Sequence, residues 1–270
     1  MNELVSIIKS FIRRILFVLD PLYVASYKLT QPHSKHIPPM KRRVRVGNHY
    51  RIDTFLNSGL RCYEPLKQAI KTYQANQLEG LRILDFGAGC GRTLQYSSRD
   101  FDKIWATDID AEAINFVARD YPEVVASCNT YDPPTDYEEN FFDVIYSVSI
   151  WTHIPPVSQE AWLQEIQRIL KKDGLALITF LGENCLQNES FHQTYDFNLT
   201  PEFLVEKGLI YIEYPRILKR NSISQTGQPY GVTYHSNEYI SKVWSQWFDV
   251  LNIQKSVIDN LQNLAILKKR

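Results

Sequence analysis

The chain has 270 residues, in which 30 lysines and arginines balance 30 aspartates and glutamates. That length sustains one generous α/β domain with extra segments without help from disulfides or metals. The balanced charge sets up no global field toward nucleic acid, acidic substrates or bulk membrane, so a charge-driven partner must be met locally. The four cysteines, Cys62, Cys90, Cys128 and Cys185, are widely spaced with no C-x-x-C pair. This argues against a structural zinc site or a disulfide framework and fits a reducing cytoplasm. The 16 Tyr, 13 Phe and 5 Trp suit a ligand pocket lined by flat side chains, but an ordinary core is the commoner use of such residues.

In chain order, residues 1–20 place Val5, Ile8, Ile12, Ile15, Leu16 and Leu19 at helical spacing around Lys9, Arg13 and Arg14. Charges interrupt the pattern every few residues. No stretch approaches the apolar run of about 20 residues that spans a bilayer, and no small-residue cleavage site follows. Residues 1–28 therefore read as an amphipathic helical segment that either lies in a membrane interface at the inner face or docks on the catalytic domain or a second subunit. Docking is favoured, because one short amphipathic helix anchors weakly without a second signal. Residues 29–45 hold three prolines and the basic cluster Lys41-Arg42-Arg43 with Arg45, which predicts an irregular linker or lid. A helix over 60–77 completes a segment 29–77.

From residue 78 onward strands and helices alternate, the pattern of a parallel sheet. Strands are expected at 82–86, 103–107, 124–127, 142–147 and 175–180, and helices at 91–98, 111–120 and 158–171. The turn Lys172-Asp173-Gly174 precedes the fifth strand. Beyond it come a helix at 201–207, an apolar stretch at 209–214 and a helix at 236–247, then strands at 248–254 and 263–268 that form an antiparallel hairpin on the sheet edge. No internal repeat or low-complexity tract is present.

Gly87-Ala88-Gly89-Cys90-Gly91 lies where the first strand hands over to the first helix, the place where α/β sheets meet ligands with strand ends and helix amides. A lone G-x-G is a weak signal. A nicotinamide site would show G-x-G-x-x-G, and position 92 is Arg92, so an oxidoreductase reading fails there. Asp108 ends the second strand, where a carboxylate meets the two hydroxyls of a ribose in dinucleotide and adenosyl cofactors alike. It could also cap the following helix, but Asp110 is better placed for that. Asp85, directly before the loop, would repel a pyrophosphate and favours a cofactor with a positive amino group, which S-adenosylmethionine carries.

The successive segments ILDFGAGCGR, ATDIDAEAI, FDVIYSVSIWTHI and LQEIQRILKKDGLALITF, covering residues 82–180, resemble the motifs of class I S-adenosylmethionine-dependent methyltransferases. The likeness is greatest to the bacterial methyltransferase-domain group, in which the fourth strand ends in a sequence such as Ser149-Ile150-Trp151-Thr152-His153. The resemblance implies a Rossmann-like, doubly wound α/β fold: a seven-stranded sheet, mostly parallel with an antiparallel last strand, flanked by helices over 78–270, with an acceptor-binding insertion at about 182–240. It implies S-adenosyl-L-methionine as cofactor. Asp85 and the loop Gly87, Ala88, Gly89, Gly91 would hold its methionine part, Asp108 the ribose hydroxyls and Ile109 the adenine face. Asn129 or Asp132 would meet the adenine amino group, with Asn129 favoured, though both residues also suit turns around Pro133 and Pro134. Ser147, at the end of the fourth strand, completes the cofactor set. The turn after the long helix departs from the family's usual Pro-Gly-Gly.

Asp132-Pro133-Pro134-Thr135 imitates the Asp-Pro-Pro-Tyr motif of amino-methyltransferases, but it precedes the fourth strand and ends in threonine. A nucleic-acid substrate is therefore not expected. Methyl transfer from a sulfonium is an in-line displacement, so alignment supplies most of the catalysis, and a base matters only for an acceptor that must lose a proton. His153 is the candidate base. Packing beside Pro155 and Pro156 is its alternative and the commoner role for such a residue. Tyr146, Trp151, Tyr234 and His235 are candidates to shape the acceptor pocket, the last two from a loop suited to a lid. No metal is expected. The sequence thus points to transfer of a methyl group to a small-molecule or glycan-type O or N acceptor, with an acceptor pocket from residues about 30–62 and 182–240. The alternative is a non-catalytic adaptor that retains the cofactor fold and binds a membrane or partner through residues 1–20.

Overall fold

The computed structural model describes residues 2–31, 36–75, 77–188, 199–214 and 228–270. The chain divides into two compact units, residues 1–58 and 59–270. The division falls within helix α3 (Ile52–Tyr73), which begins eight residues earlier than its periodicity suggested and ends four earlier.

In the first unit, α1 (Asn2–Thr30) continues past Pro21 to Thr30, and α2 (Met40–Arg45) follows. Residues 29–45 are therefore helical at both ends, and 32–35 lie outside the described residues. The reason is a buried ion pair that the basic cluster concealed. Asp20 Oδ1 accepts from Arg43 Nη2 at 2.6 Å and Asp20 Oδ2 accepts from the Met40 amide at 2.6 Å, while Arg43 Nη1 donates to the Pro38 carbonyl at 2.5 Å. Arg43 and Asp20 are both buried. Removing either partner would leave an uncompensated charge, so the pair fixes how α2 follows α1.

In the second unit the strands are β1 (Arg82–Phe86), β2 (Lys103–Asp108), β3 (Val124–Cys128), β4 (Phe142–Ser147), β5 (Leu170–Phe180), β6 (Leu209–Glu213), β7 (Gly231–His235), β8 (Phe248–Ile258) and β9 (Gln262–Lys269). Seven of them form a sheet in the order β3-β2-β1-β4-β5-β9-β8. The first five pair in parallel, and β9 and β8 run antiparallel at the edge, as the closing hairpin expected there. The central strands β1 and β4 are buried nearly throughout, which is why they read as apolar runs without alternation. Helices α4 (Leu94–Asp100), α5 (Ala111–Asp120) and α6 (Pro156–Ile169) connect them. On α6, Trp162, Leu163, Ile166 and Ile169 form the buried stripe that packs with Leu84, Phe86 and Ile145.

Leu170 pairs with Phe142 and Leu175 with Val144, so residues 171–174 loop out of the ladder as the Lys172-Asp173-Gly174 turn. Asp173 takes φ 63°, a left-handed conformation that Asp tolerates better than most residues.

A further element was misread from the sequence. Residues 231–235, expected as a lid loop, form strand β7, which pairs antiparallel with β6 from Leu209↔His235 to Glu213↔Gly231. The hairpin encloses its own apolar cluster with Leu181, Cys185, Leu186 and Leu204, the last on α7 (Pro201–Lys207). Helix α8 (Asn237–Val243) and the 3-10 turn Trp244–Gln246 then deliver Trp244 to the main core, 5.0 Å from Trp151 between ring centroids. Of the expected insertion at 182–240, residues 189–198 and 215–227 lie outside the described residues.

Because Trp244 is fully buried against Trp151, Phe180 and His235, Trp244→Ala should lower unfolding stability by about 3–5 kcal/mol, and Trp244→Phe by clearly less. Urea unfolding followed by circular dichroism measures both, and equal losses would mean that the ring's volume is not what the core uses.

Candidate functional site

The order of the parallel strands reverses between β1 and β4, and in open α/β sheets the crevice at such a switch point, beyond the carboxyl ends of the strands, is where ligands bind. Four of those ends converge here. They are the glycine loop after β1, Asp108 ending β2, Asn129 just after β3, and the turn Val148–His153 after β4.

The loop is shaped by backbone geometry. Gly87, Gly89 and Gly91 all have positive φ, of 84°, 54° and 83°. At Gly87 a β-carbon would also lie 2.2 Å from Ile150 Cγ1, so any other residue meets both strain and collision. The Gly87 and Ala88 amides donate to the Thr107 carbonyl at 2.8 and 3.0 Å. Asp108 clamps the rest: its Oδ2 accepts from the Gly89 amide at 2.7 Å and its Oδ1 from the Asp110 amide at 2.8 Å. Asp110, not Asp108, caps α5, its Oδ1 accepting from the Glu112 and Ala113 amides. A carboxylate oxygen can accept more than one hydrogen bond.

A cleft is lined by Gly87, Asp108, Ile109, Asn129 and His153 together. Phe86, Tyr131, Ile150, Trp162 and Tyr230 complete its apolar and aromatic wall. Five of the residues singled out in the sequence thus come together. Asn129 Oδ1 accepts from the Thr107 hydroxyl at 3.0 Å and its Nδ2 donates to the Thr130 carbonyl at 2.8 Å, which fixes the amide in one orientation. Asp132 is exposed and is not among the lining residues.

Asp85 lies beneath the cleft, not in its wall. It is buried, and its Oδ2 accepts from the hydroxyls of Thr93 at 2.7 Å and Tyr146 at 3.1 Å. Burial raises its pKa to about 7, with the charge of Asp108 adding to the rise and the two hydroxyls and Arg92 opposing it. Thr93 consequently gives no side-chain cap to α4. Ala88, Gly89, Gly91 and Ser147 are likewise outside the lining, and Ser147 Oγ is buried with no hydrogen-bond partner among the described residues.

His153 is held by two contacts. Its Nδ1 lies 2.7 Å from the Gly231 carbonyl, and its ring stacks on Tyr230 at 4.9 Å and 24°. A carbonyl only accepts, so Nδ1 carries the proton and Nε2 the lone pair. Burial lowers the pKa of the ring, which leaves it neutral near pH 7. The segment around it is stitched to β7: the Thr233 amide donates to the Thr152 carbonyl and the Thr233 hydroxyl to the Ile154 carbonyl, both at 2.8 Å.

The four residues expected to shape an acceptor pocket do not reach the cleft. Tyr146, Trp151, Tyr234 and His235 are all fully buried. Tyr146 serves Asp85 and Ser97, and Trp151 packs on Trp244. Tyr234 belongs to the core under the hairpin, and His235 bonds Gln159 Oε1 through Nε2 at 2.9 Å, with burial pushing its pKa down to about 3. Strand formation decided the matter: β7 is buried at all its positions, so it hides side chains that a loop would have exposed. The aromatic residues that do line the cleft, Tyr131 and Tyr230, were missed. Each sits in a loop near prolines, and a bond between the two loops, the Tyr131 hydroxyl donating to the Pro229 carbonyl at 2.7 Å, spans 98 positions. The motif-like Asp132-Pro133-Pro134-Thr135 is an anchor, with the Thr135 amide donating to Glu165 Oε1 at 2.9 Å.

Solved structures with this arrangement are numerous. The PH0226 protein of Pyrococcus horikoshii OT3 aligns with a TM-score of 0.53 and 16% identity over 79% of this chain and 91% of its own. The 1,6-didemethyltoxoflavin-N1-methyltransferase of Burkholderia thailandensis, solved with 1,6-didemethyltoxoflavin and S-adenosylhomocysteine, gives 0.51 and 15% over 80% and 84%. A SAM-dependent methyltransferase of Methanosarcina mazei gives 0.50 and 15% over 77% and 97%. At these identities the likeness speaks for the fold alone. No curated protein is matched by the sequence. The pattern of the family described as "Methyltransferase domain", however, matches residues 58–221, more than half of the chain. This chain therefore belongs to the methyltransferase-domain family, among the class I S-adenosylmethionine-dependent methyltransferases.

Proposed function

We propose that the chain transfers a methyl group from S-adenosylmethionine to an oxygen or nitrogen atom of a small-molecule or glycan-type acceptor lying against His153. One observation carries this reading: a single cleft is lined both by residues suited to the cofactor and by a neutral histidine with an unprotonated ring nitrogen. The residues fit the cofactor chemically. Gly87 brings bare backbone to the cleft wall, Asp108 presents a carboxylate suited to ribose hydroxyls, Ile109 offers an apolar surface for adenine, and Asn129 Oδ1 keeps a second lone pair for the adenine amino group. When bound, the cofactor supplies an electrophilic methyl group on a sulfonium. The chain supplies alignment, and Nε2 of His153 accepts the proton that a hydroxyl acceptor must lose. The bond to Gly231 holds the ring in the tautomer this requires. A small acceptor has a precedent on this fold in the Burkholderia enzyme, which carries a heterocycle beside its sulfur ligand.

Calorimetry with S-adenosylmethionine, S-adenosylhomocysteine and NAD tests the first half of the reading, and failure of both sulfur ligands to bind would sink it. Transfer of labelled methyl to a panel of hydroxyl and amine compounds tests the second. Binding without any transfer would favour the non-catalytic adaptor.

Asp108→Ala should weaken S-adenosylhomocysteine binding by about 1–3 kcal/mol, since hydroxyl partners are left unmet and the glycine loop loses its clamp. An unchanged affinity would remove Asp108 from the ribose role. Near its pKa of about 7, Asp85 passes from neutral at pH 6 to ionised at pH 8, and the ligand's ammonium favours the ionised form. S-adenosylhomocysteine affinity should therefore rise by up to about tenfold from pH 6 to pH 8 and be flat in Asp85→Asn. A flat profile in the parent protein refutes the assignment. His153→Asn keeps a donor for the Gly231 carbonyl but no base. With a hydroxyl acceptor it should lower kcat by about 10²–10⁴ while leaving S-adenosylhomocysteine affinity unchanged. A loss confined to KM would assign His153 to acceptor binding alone.

A further inference from the structure

The balanced total charge hides a segregation. Residues 1–58 contain ten lysines and arginines against three acids, Glu3, Asp20 and Asp53, a formal charge of +7, and residues 59–270 carry the compensating −7. Two of the three acids are already engaged within the unit, Asp20 with Arg43 in the interior and Asp53 with Arg51 at 2.7 Å on the surface.

The surface of α1 carries a second asymmetry. Its more buried positions, Phe17, Asp20, Val24 and Tyr27, recur at intervals of three and four residues and form one stripe. A different stripe, Phe11, Ile15, Val18, Leu22 and Leu29, is exposed, with Val18 at 77%, Leu22 at 71% and Leu29 at 84%. Ile12, Leu16 and Leu19 widen it, all exposed. Arg13 and Arg14 are exposed outside this stripe. Soluble surfaces seldom leave so continuous an apolar face in water, and such faces mark docking sites. No described helix is long and apolar enough to cross a membrane.

We infer that residues 1–58 dock on an anionic phospholipid surface, with α1 in the headgroup region and its Phe11 to Leu29 stripe turned toward the acyl chains. The charge selects this occupant. An amphipathic helix alone anchors weakly, whereas the same helix on a strongly cationic unit supplies the two signals that stable interfacial binding requires. A second copy of the chain would bring the same +7 against +7, and the repulsion opposes pairing through this face. The inference goes beyond the methyl-transfer reading and does not depend on it.

The test is co-sedimentation of the full chain with vesicles of phosphatidylcholine, and of phosphatidylcholine containing one quarter phosphatidylglycerol. The expected result is capture by the anionic vesicles, little capture by the neutral ones, and weakening as sodium chloride is raised toward 0.5 M, where the Debye length falls to a few ångströms (about 4 Å). Val18→Asp with Leu22→Asp should reduce capture at least about tenfold. Arg13→Ala with Arg14→Ala should reduce it by on the order of tenfold on anionic vesicles only. Both pairs are exposed, so circular dichroism and S-adenosylhomocysteine binding should stay at parent levels. Absence of capture overturns the inference, as does capture indifferent to lipid charge and to Val18→Asp with Leu22→Asp. A dimer in sedimentation velocity that these aspartates dissociate would assign the stripe to self-association and overturn it as well.

Discussion

The Asp108 carboxylate joins the two turns between which the cleft opens. One oxygen takes the Gly89 amide from the turn after β1, and the other takes the Asp110 amide from the turn after β2. Without that bridge, a loop holding three residues at positive φ would have few contacts to fix it, because glycines contribute no side chain to packing. A buried charge is tolerated when hydrogen bonds offset its desolvation, and here two of them come from backbone amides at the bends of the chain. The same clamp raises the pKa of its neighbour Asp85 through like-charge repulsion, added to the larger effect of burial. Two carboxylates with different environments therefore sit under one loop: one in the cleft wall, and one beneath it poised near neutrality.

The far wall of the cleft depends on the inserted hairpin. β7 contributes the Gly231 carbonyl to His153 and bonds the backbone on both sides of that residue through Thr233. A histidine in a bare loop after β4 would exchange tautomers and rotamers. Here a carbonyl acceptor and a stacked Tyr230 select one of each. The hairpin thus sets which ring nitrogen of His153 carries the proton, in a cleft whose other titratable lining residues are Asp108, Tyr131 and Tyr230.

The sheet was legible because a parallel strand buried on both faces shows as an apolar run, and because each βα turn carries its own markers. β1, β4 and α5 were placed to the residue on that basis. One wall of the cleft was legible for a related reason. Gly87, Asp108, Ile109 and Asn129 occupy the ends of consecutive strands, so chain order translates directly into position. The wall around His153 did not translate. Tyr230 reaches His153 across 77 positions, and the fate of Tyr234 and His235 depended on whether residues 231–235 pair with β6, a long-range fact that local periodicity does not contain. Reading a loop there exposed two side chains that the strand buries. Arg43 is the same lesson in the first unit, a member of a basic run that turns inward because Asp20, 23 residues earlier, waits for it.

Net charge is the composition figure most often used to judge partners, and in this chain it averages over the wrong volume. At physiological ionic strength charges are screened over about 8 Å, far less than the span of a 29-residue helix, so a surface responds to its own unit and not to the chain total. A unit at +7 beside a catalytic unit at −7 gives the molecule two chemistries. The acidic unit, which holds the cleft, has no electrostatic reason to approach an anionic surface. The basic unit has both the charge and the exposed apolar stripe to approach one. On the docking inferred above, attachment and methyl transfer fall to separate stretches of sequence, and changing the exposed face of α1 would alter attachment without touching any residue of the cleft.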